Sequence, residues 1–361
     1  MRIRNIQIKN FRNYPSLDIG IDNDVVVLSG PNAVGKTNLL ESIYFSSLFK
    51  SFRDDTEFIF LKDFNNAEIK IVVEKHNETH NLEIFLENRG KVYANFMVDG
   101  VKKKRQEAQG FVSVVIFEPK DVDLFSKSPE DRRKYLNMVL CQKDFRYLEN
   151  ITQYKKALYH KNKLLQDIKS GKVQGGDLDV WNEQLVVLGA NIIYERKKFV
   201  NFLNNSIADI YTTISGFHRP IEVEYETVLG EDLPNIINNL KERLVEVKNK
   251  ELLVGTSLVG PQRDDFFLKS DGLYLSPFSS RGELRSQILA LKVLELEYLS
   301  RGDDKPIMLL DDVLSELDET RRMFLLKYLQ GKFQTFITTT HPLEMPAQHI
   351  TLTPAVQENN F

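Results

Sequence analysis

Eight residues near the start, Gly30-Pro31-Asn32-Ala33-Val34-Gly35-Lys36-Thr37, constrain the fold more than any other stretch of the chain. They follow Val25-Val26-Val27-Leu28, an unbroken apolar run suited to a strand buried on both faces. They precede Asn38-Leu39-Leu40-Glu41-Ser42-Ile43, which has helical spacing. Strand, glycine loop and helix in that order predict an α/β fold. The spacing fits G-x-x-x-x-G-K-[ST] without exception. The glycines let the backbone curl until its N–H groups converge, and the helix start adds its positive end. A chance glycine turn is the plain alternative, but it would not call for a buried strand before it and a helix after it. The expectation is a triphosphate cradle lined by Gly30, Pro31, Asn32, Ala33, Val34, Gly35, Lys36, Thr37 and Asn38. Lys36 is expected to reach the β- and γ-phosphates, and the Thr37 hydroxyl to bind Mg²⁺.

A second segment completes such a site. Pro306-Ile307-Met308-Leu309-Leu310-Asp311-Asp312 reads as an apolar strand ending in two acids. In open α/β sheets ligands sit at the carboxyl ends of the strands. Asp311 is expected to hold Mg²⁺, directly or through water. Asp312 is expected to orient and deprotonate the attacking water. A capped strand end is the plain alternative, since Asp is common in turns; the phosphate loop favours the site. About 270 residues separate Lys36 from Asp311, far more than a compact GTPase places there. A long insertion is the pattern of ABC-type ATPases.

The rest of the chain supports an interrupted head. Ile3, Ile6 and Ile8, then Leu17, Ile19 and Ile21, alternate as short strands do, and strand-like runs return between 68 and 117. From Ser128 to about Asn205 glycines are few and the periodicity is helical, with Ser170-Gly171 and Gly175-Gly176 as breaks. Ile221 to Tyr225 alternates as a strand, and Asn235 to Lys248 reads as a charged helix. β-like texture resumes at Leu258, and Gly282 opens a long apolar helix. The predicted organisation is a discontinuous α/β head, 1–117 and 255–361, with a mostly helical lobe at 118–254. Hydrophobic residues make up 42% and charged residues 27%, so a sizeable core is available without staples. One cysteine, Cys141, cannot form an internal disulfide. With no stretch of signal-peptide or membrane-span length, a soluble cytoplasmic protein with no membrane partner is expected. The net charge of −3 is no footprint of a strongly basic nucleic-acid binder.

Further segments fall in the order of an ABC-type site. Ser279-Ser280-Arg281-Gly282-Glu283 opens the long helix and resembles an ABC signature loop, in which Ser280 and Gly282 would meet the γ-phosphate held by a second subunit. A plain N-cap is the commoner meaning of such a serine. Ser315-Glu316-Leu317-Asp318 follows the acids as a D-loop would, with Asp318 as its carboxylate. His341 ends the strand Thr335–Thr340 where such enzymes sense the γ-phosphate. Phe11-Arg12-Asn13-Tyr14 stands where Arg12 would touch phosphate, unless it is a solvated turn.

Four ordered motifs resemble the RecF family along essentially the whole chain. They are Lys9 to Tyr14; Phe117-Glu118-Pro119-Lys120-Asp121 with Ser128 to Asn137; Gly260 to Phe266; and Leu309 to Asp318. The resemblance implies an ABC-type P-loop ATPase head with a mostly helical inserted second domain. It implies an ATP- and Mg²⁺-dependent homodimer with two nucleotides sandwiched head to head. It further implies double-stranded DNA binding, RecR and RecO as partners in loading RecA at gaps, and hydrolysis that releases the dimer. The chain departs from the family pattern at Lys120, at Lys127 and in the signature loop Arg281-Gly282-Glu283-Leu284, which lacks the usual glutamines. Candidate DNA-contacting runs are Lys102-Lys103-Lys104-Arg105, Arg132-Arg133-Lys134, and Lys155-Lys156 through His160-Lys161 and Lys163, each of which could equally be a solvated face. The competing reading is the nucleotide-binding subunit of an ABC-type membrane transporter.

Overall fold

The computed structural model describes residues 1–53, 56–174, 177–227, 230–274, 281–340 and 343–353. In chain order its strands are β1 (Arg2–Phe11), β2 (Tyr14–Gly20), β3 (Val25–Ser29), β4 (Asn66–Lys75), β5 (Glu78–Asn88), β6 (Val92–Val98), β7 (Val101–Lys103), β8 (Val114–Phe117), β9 (Ile221–Glu226), β10 (Asp265–Ser270), β11 (Leu273–Tyr274), β12 (Ile307–Leu310), β13 (Thr335–Thr339) and β14 (Gln348–Thr351). Its helices are α1 (Lys36–Leu48), α2 (Arg105–Ala108), α3 (Pro129–Lys143), α4 (Phe145–Lys169), α5 (Leu178–Asn204), α6 (Ile207–Ser215), α7 (Leu233–Val254), α8 (Arg281–Leu299) and α9 (Glu319–Leu329). The chain divides into two compact units: Met1–Val122 with Thr213–Gly216 and Arg281–Phe361, and Asp123–Thr212 with Phe217–Ser280.

The first unit is the head. Its parallel sheet has the order β14-β3-β13-β12-β8. Val26, Val27 and Leu28 of β3 and all four residues of β8 and of β12 are buried, as strands covered on both faces require. A second, antiparallel sheet runs β2-β1-β4-β5-β6-β7. Here alternation is the rule: Ile6 faces Ile71, Ile8 faces Ile69, and Ile69 in turn faces Ile84, all of them buried. A bulge between Ile3 and Asn5 interrupts that register. Helix α1 packs against β8 and β13 of the parallel sheet and against β4 of the other. That position explains why it is buried almost all round, including Glu41, Ser42, Ser46 and Ser47.

The second unit is the lobe, built from the long helices α3, α4, α5 and α7 and a small sheet of order β11-β10-β9. Its helix starts are written in the sequence: Ser128, Asp144, Asp177 and Asp232 each accept a backbone N–H as N-caps, and Pro129 and Pro234 stand in the first turns of α3 and α7. Gly255 closes α7 at φ 82°. Residues 255–280 group with the lobe, past the expected border at 254. The reason is the pairing of β10 with β9 from Asp265↔Glu226 to Ser270↔Ile221, a contact no local pattern reveals. Among the described residues no helix is long and apolar enough to cross a membrane.

Candidate functional site: a phosphate loop facing a paired acid

The loop's two glycines are required twice over. Gly30 stands at φ 149° and Gly35, which caps α1, at φ 114°. A Cβ on Gly35 would lie 2.7 Å from Asn13 Nδ2 and from Tyr14 Oη; one on Gly30 would lie 2.6 Å from the Leu352 carbonyl oxygen. Lys36 is buried and folds back over the loop, donating from Nζ to the carbonyls of Gly30 at 2.8 Å and Pro31 at 3.0 Å. The ammonium is therefore held at the mouth of the cradle.

The turn between β1 and β2 braces the loop from outside. Asn13 Nδ2 donates to the Val34 carbonyl at 2.9 Å, and Asn13 Oδ1 accepts from Asn38 Nδ2 at 2.8 Å. Tyr14 Oη donates to the Gly35 carbonyl at 3.1 Å, and burial pushes its hydroxyl up to about 12. Arg12, expected to touch phosphate, has partners within the head. Its guanidinium bonds Glu41 of α1 at 2.9 and 2.6 Å and the Phe58 carbonyl at 2.8 Å. Glu41 has no solvent exposure, so an unpaired charge there would be costly, and Arg12 supplies the pairing.

Thr37 and Asp311 meet. Thr37 Oγ1 donates to Asp311 Oδ1 at 2.9 Å, and Thr338 Oγ1 of β13 donates to the same oxygen at 2.9 Å. Burial pushes the Asp311 carboxyl up, against the pull of the two hydroxyls. Asp312 follows in the left-handed region at φ 50°, its N–H donating to Thr338 Oγ1 at 2.8 Å. Such backbone costs about 1 kcal/mol or more for a side chain other than glycine. It turns the second acid away from the strand direction at the sheet's carboxyl edge.

Two further residues beside the acids were assigned no role from the sequence, although Glu118 lies within a family motif. Thr338 becomes a partner of the acids only once β13 is known to lie beside β12, with Leu310 opposite Ile337. Glu118 follows β8, the other neighbour of β12, where Phe117 pairs with Leu310. Its carboxylate meets Lys120 at 3.0 Å, so that lysine, unusual by family pattern, serves as its counter-ion. Burial first, and Asp121 second, push Glu118 up to about 7. Asp121 in turn lies 3.4 Å from Lys292, which is buried on α8.

The remaining expectations divide. Gly282 lies in the first turn of α8, and Asp318 caps α9 by accepting from the Arg321 N–H at 2.9 Å. Ser280 and His341 lie outside the described residues. Of the basic runs, Arg132 is buried in a two-pronged pair with Asp265, and Arg133 donates to the Asp264 carbonyl at 2.7 Å; both are structural. Lys161 is likewise buried, 2.8 Å from Glu251. Lys155, Lys156 and Lys163 remain exposed on α4. A cleft of about 1090 Å³ opens elsewhere on the head, lined by Arg2, Asp24, Lys305 and Gln334. It sits where β3, β12 and β13 begin, the edge away from the phosphate loop, and its charges are mixed.

A parallel sheet carrying a glycine cradle on one strand and an acid pair two strands away defines a phosphate-loop nucleotide-binding head. Residues 2–360 match the family model described as RecF/RecN/SMC N terminal domain. Among curated relatives, a protein of Agathobacter rectalis named DNA replication and repair protein RecF is 36% identical over 345 residues, covering 94% of this chain and 92% of its own. A protein of the same name from Bacillus cereus is 37% identical over 349 residues, with the same coverage. Among solved structures, one described as the recombination mediator protein RecF-ATP in the RecFOR pathway superposes with a TM-score of 0.91 at 32% identity, covering 98% of this chain and 96% of that one. An SMC head bound to a winged-helix domain of ScpA shares the fold, with a TM-score of 0.53 at 13% identity. The chain belongs to the RecF family.

Proposed function

We propose that this protein is a DNA replication and repair ATPase that binds ATP with Mg²⁺, pairs with a second copy around the nucleotide, and engages double-stranded DNA in that paired state. The observation that carries the reading is the 2.9 Å hydrogen bond from Thr37 to Asp311. It brings two motifs far apart in sequence to one point beside the phosphate loop. The solved relative described with ATP supports the choice of nucleotide.

The roles follow from the geometry. Backbone N–H groups between Asn32 and Asn38, where α1 starts, cradle the phosphates. Lys36 exchanges its two carbonyl contacts for phosphate oxygens. A hydroxyl and a carboxylate side by side are a fitting donor set for Mg²⁺, which takes few protein ligands when phosphates supply the rest. Thr37 and Asp311 would hold it, and when bound it neutralises charge developing on the phosphates. Asp312 accepts the proton of the attacking water, and His341 senses the γ-phosphate. Arg12 acts at one remove by fixing α1 through Glu41. Ser280, Gly282 and Asp318 complete the site of the other copy, so a lone copy hydrolyses slowly.

DNA contact fits α4 best. Lys155, Lys156 and Lys163 share an exposed stretch with Tyr159, which is 65% exposed. His160 stacks on Trp181 at 5.0 Å. Among the described residues no acid pairs with those three lysines. Unpaired cations with aromatics bind backbone without reading sequence. RecO and RecR as partners, and the loading of RecA at gaps, complete the reading; the family match and the solved relative's RecFOR pathway support it.

Hydrolysis of ATP with and without duplex DNA, in wild type and Lys36→Met, tests the proposal. DNA-stimulated turnover that vanishes in the variant is the expected result. Turnover indifferent to DNA would favour a transporter-type subunit instead, and no turnover at all would leave the site vestigial.

A further inference from the structure

One guanidinium joins the loop after the acid strand to the first turn of α8. Arg321, in the opening turn of α9, donates from Nη1 to Asp318 Oδ2 and from Nε to Ser286 Oγ at 2.7 Å. Ser286 is fully buried, and its own proton goes to the Gly282 carbonyl at 3.2 Å. A continuous hydrogen-bond chain therefore runs from Asp318 through Arg321 and Ser286 to Gly282. A Cβ on Gly282 would sit 3.5 Å from Arg321 Nη2, so the guanidinium also lies over that glycine. A second link runs in parallel, from Arg285 Nη2 to Glu316 Oε2 at 2.6 Å.

Capping alone does not account for this arrangement. Asp318 Oδ1 already caps α9, and it is the other oxygen that takes the guanidinium. Nor is the pair a strong source of stability, because Asp318 is half-exposed and surface ion pairs contribute little. What a planar guanidinium supplies is a fixed angle between two acceptors, which an ammonium cannot reproduce.

We propose that Arg321 is a positioning residue that makes the 315–318 loop and the Gly282 end of α8 move as one body. The acid pair Asp311-Asp312 ends three residues before that loop, so a change at the acids reaches the helix start presented to the second copy. This rests on the reading above, in which Gly282 and Asp318 complete the partner's nucleotide site.

The test uses the full chain with four variants: Arg321→Lys, Ser286→Ala, Asp318→Asn, and the last two combined. Arg321→Lys is expected to lower kcat about tenfold while KM stays within about twofold, the pattern of misplaced groups and not of lost binding. Ser286 acts through Arg321, and Asp318 acts both through Arg321 and at the partner's site, so Asp318→Asn should be the slower single variant and the combined variant no slower than it. Additive losses, or a changed KM at constant kcat, would overturn the proposal. A second measurement needs neither pairing nor hydrolysis. In nucleotide-free protein, Asp318→Asn and Ser286→Ala should each speed amide exchange at Arg285 to Gln287 about tenfold, leaving the far turn of α8 unchanged. Unchanged exchange there sinks the arginine link even if the wild type hydrolyses ATP. Altered exchange in a wild-type background without turnover keeps the link and removes the functional reading instead.

Discussion

Replacing Glu118 with glutamine is expected to stabilise the head, and only above acidic pH. Glu118 follows β8 beside the acid strand, buried near Asp121, and its carboxyl titrates at about 7 where 4.5 is ordinary. Below pH 4.5 the group is protonated in both folded and unfolded chains, and it adds no pH dependence. Between 4.5 and 7 the unfolded chain releases a proton that the folded chain keeps. The folded state then binds more protons, so stability falls as pH rises through this window. Above 7 both forms are ionised and the full cost of the buried charge persists. At about 1.4 kcal/mol per pH unit, that cost is about 3 kcal/mol. Lys120 and Lys292 already offset part of the burial within that figure. Urea unfolding of wild type and Glu118→Gln at pH 5 and pH 8.5 measures it directly. The two proteins should agree within about 1 kcal/mol at pH 5 and differ by about 2–3 kcal/mol at pH 8.5, the variant being the more stable. Parallel stability curves would refute the reasoning. ATP hydrolysis should fall in the same variant, as when a costly charge is kept for its chemistry; unchanged turnover would remove Glu118 from the site.

Two further outcomes are expected. Changing Lys155, Lys156 and Lys163 together to alanine should weaken duplex binding for every sequence alike and lower the dependence of log K on log salt by roughly 3, one per lost phosphate contact; an unchanged slope in fluorescence anisotropy would move the DNA surface elsewhere. Arg196→Met should destabilise the lobe by about 3–5 kcal/mol in thermal or urea unfolding, because it strands the buried carboxylate of Asp264. Burial already pushes that carboxyl up to about 6, so the loss should be smaller at pH 5 than at pH 8, and Asp264→Asn in the same chain should recover part of it.

Much of the head was legible because its signals are local. Gly30 to Thr37 reports a backbone shape, and Ile307 to Leu310 reports a buried strand, without reference to anything distant. The fold class followed from those two segments. Failures begin where meaning depends on a partner far along the chain. Arg132-Arg133 reads as a basic patch because Asp265 stands 133 positions away, and Lys161 reads as exposed because Glu251 is on another helix. The grouping of residues 255–280 with the lobe has the same cause: β10 pairs with β9, the Ser257 N–H bonds Asn162 of α4, and Arg196 of α5 reaches the Pro261 carbonyl.

The family motifs show most clearly how sequence order hides purpose. Ser128 to Asn137 and Gly260 to Phe266 look like two separate functional stretches. In the lobe they are halves of one buried network. Arg132 from the first pairs with Asp265 of the second. Arg196 of α5 bridges both, bonding Asn137 Oδ1 at 3.0 Å and the Pro261 carbonyl at 2.8 Å. Such a network is costly when half-satisfied and specific when complete, so its residues constrain one another. The motif that binds phosphate can be read from its own backbone demands. The motifs that hold the lobe together acquire their meaning only in pairs, which is why residues that look alike in sequence part company in the fold, Arg132 buried against Asp265 and Lys155 exposed on α4.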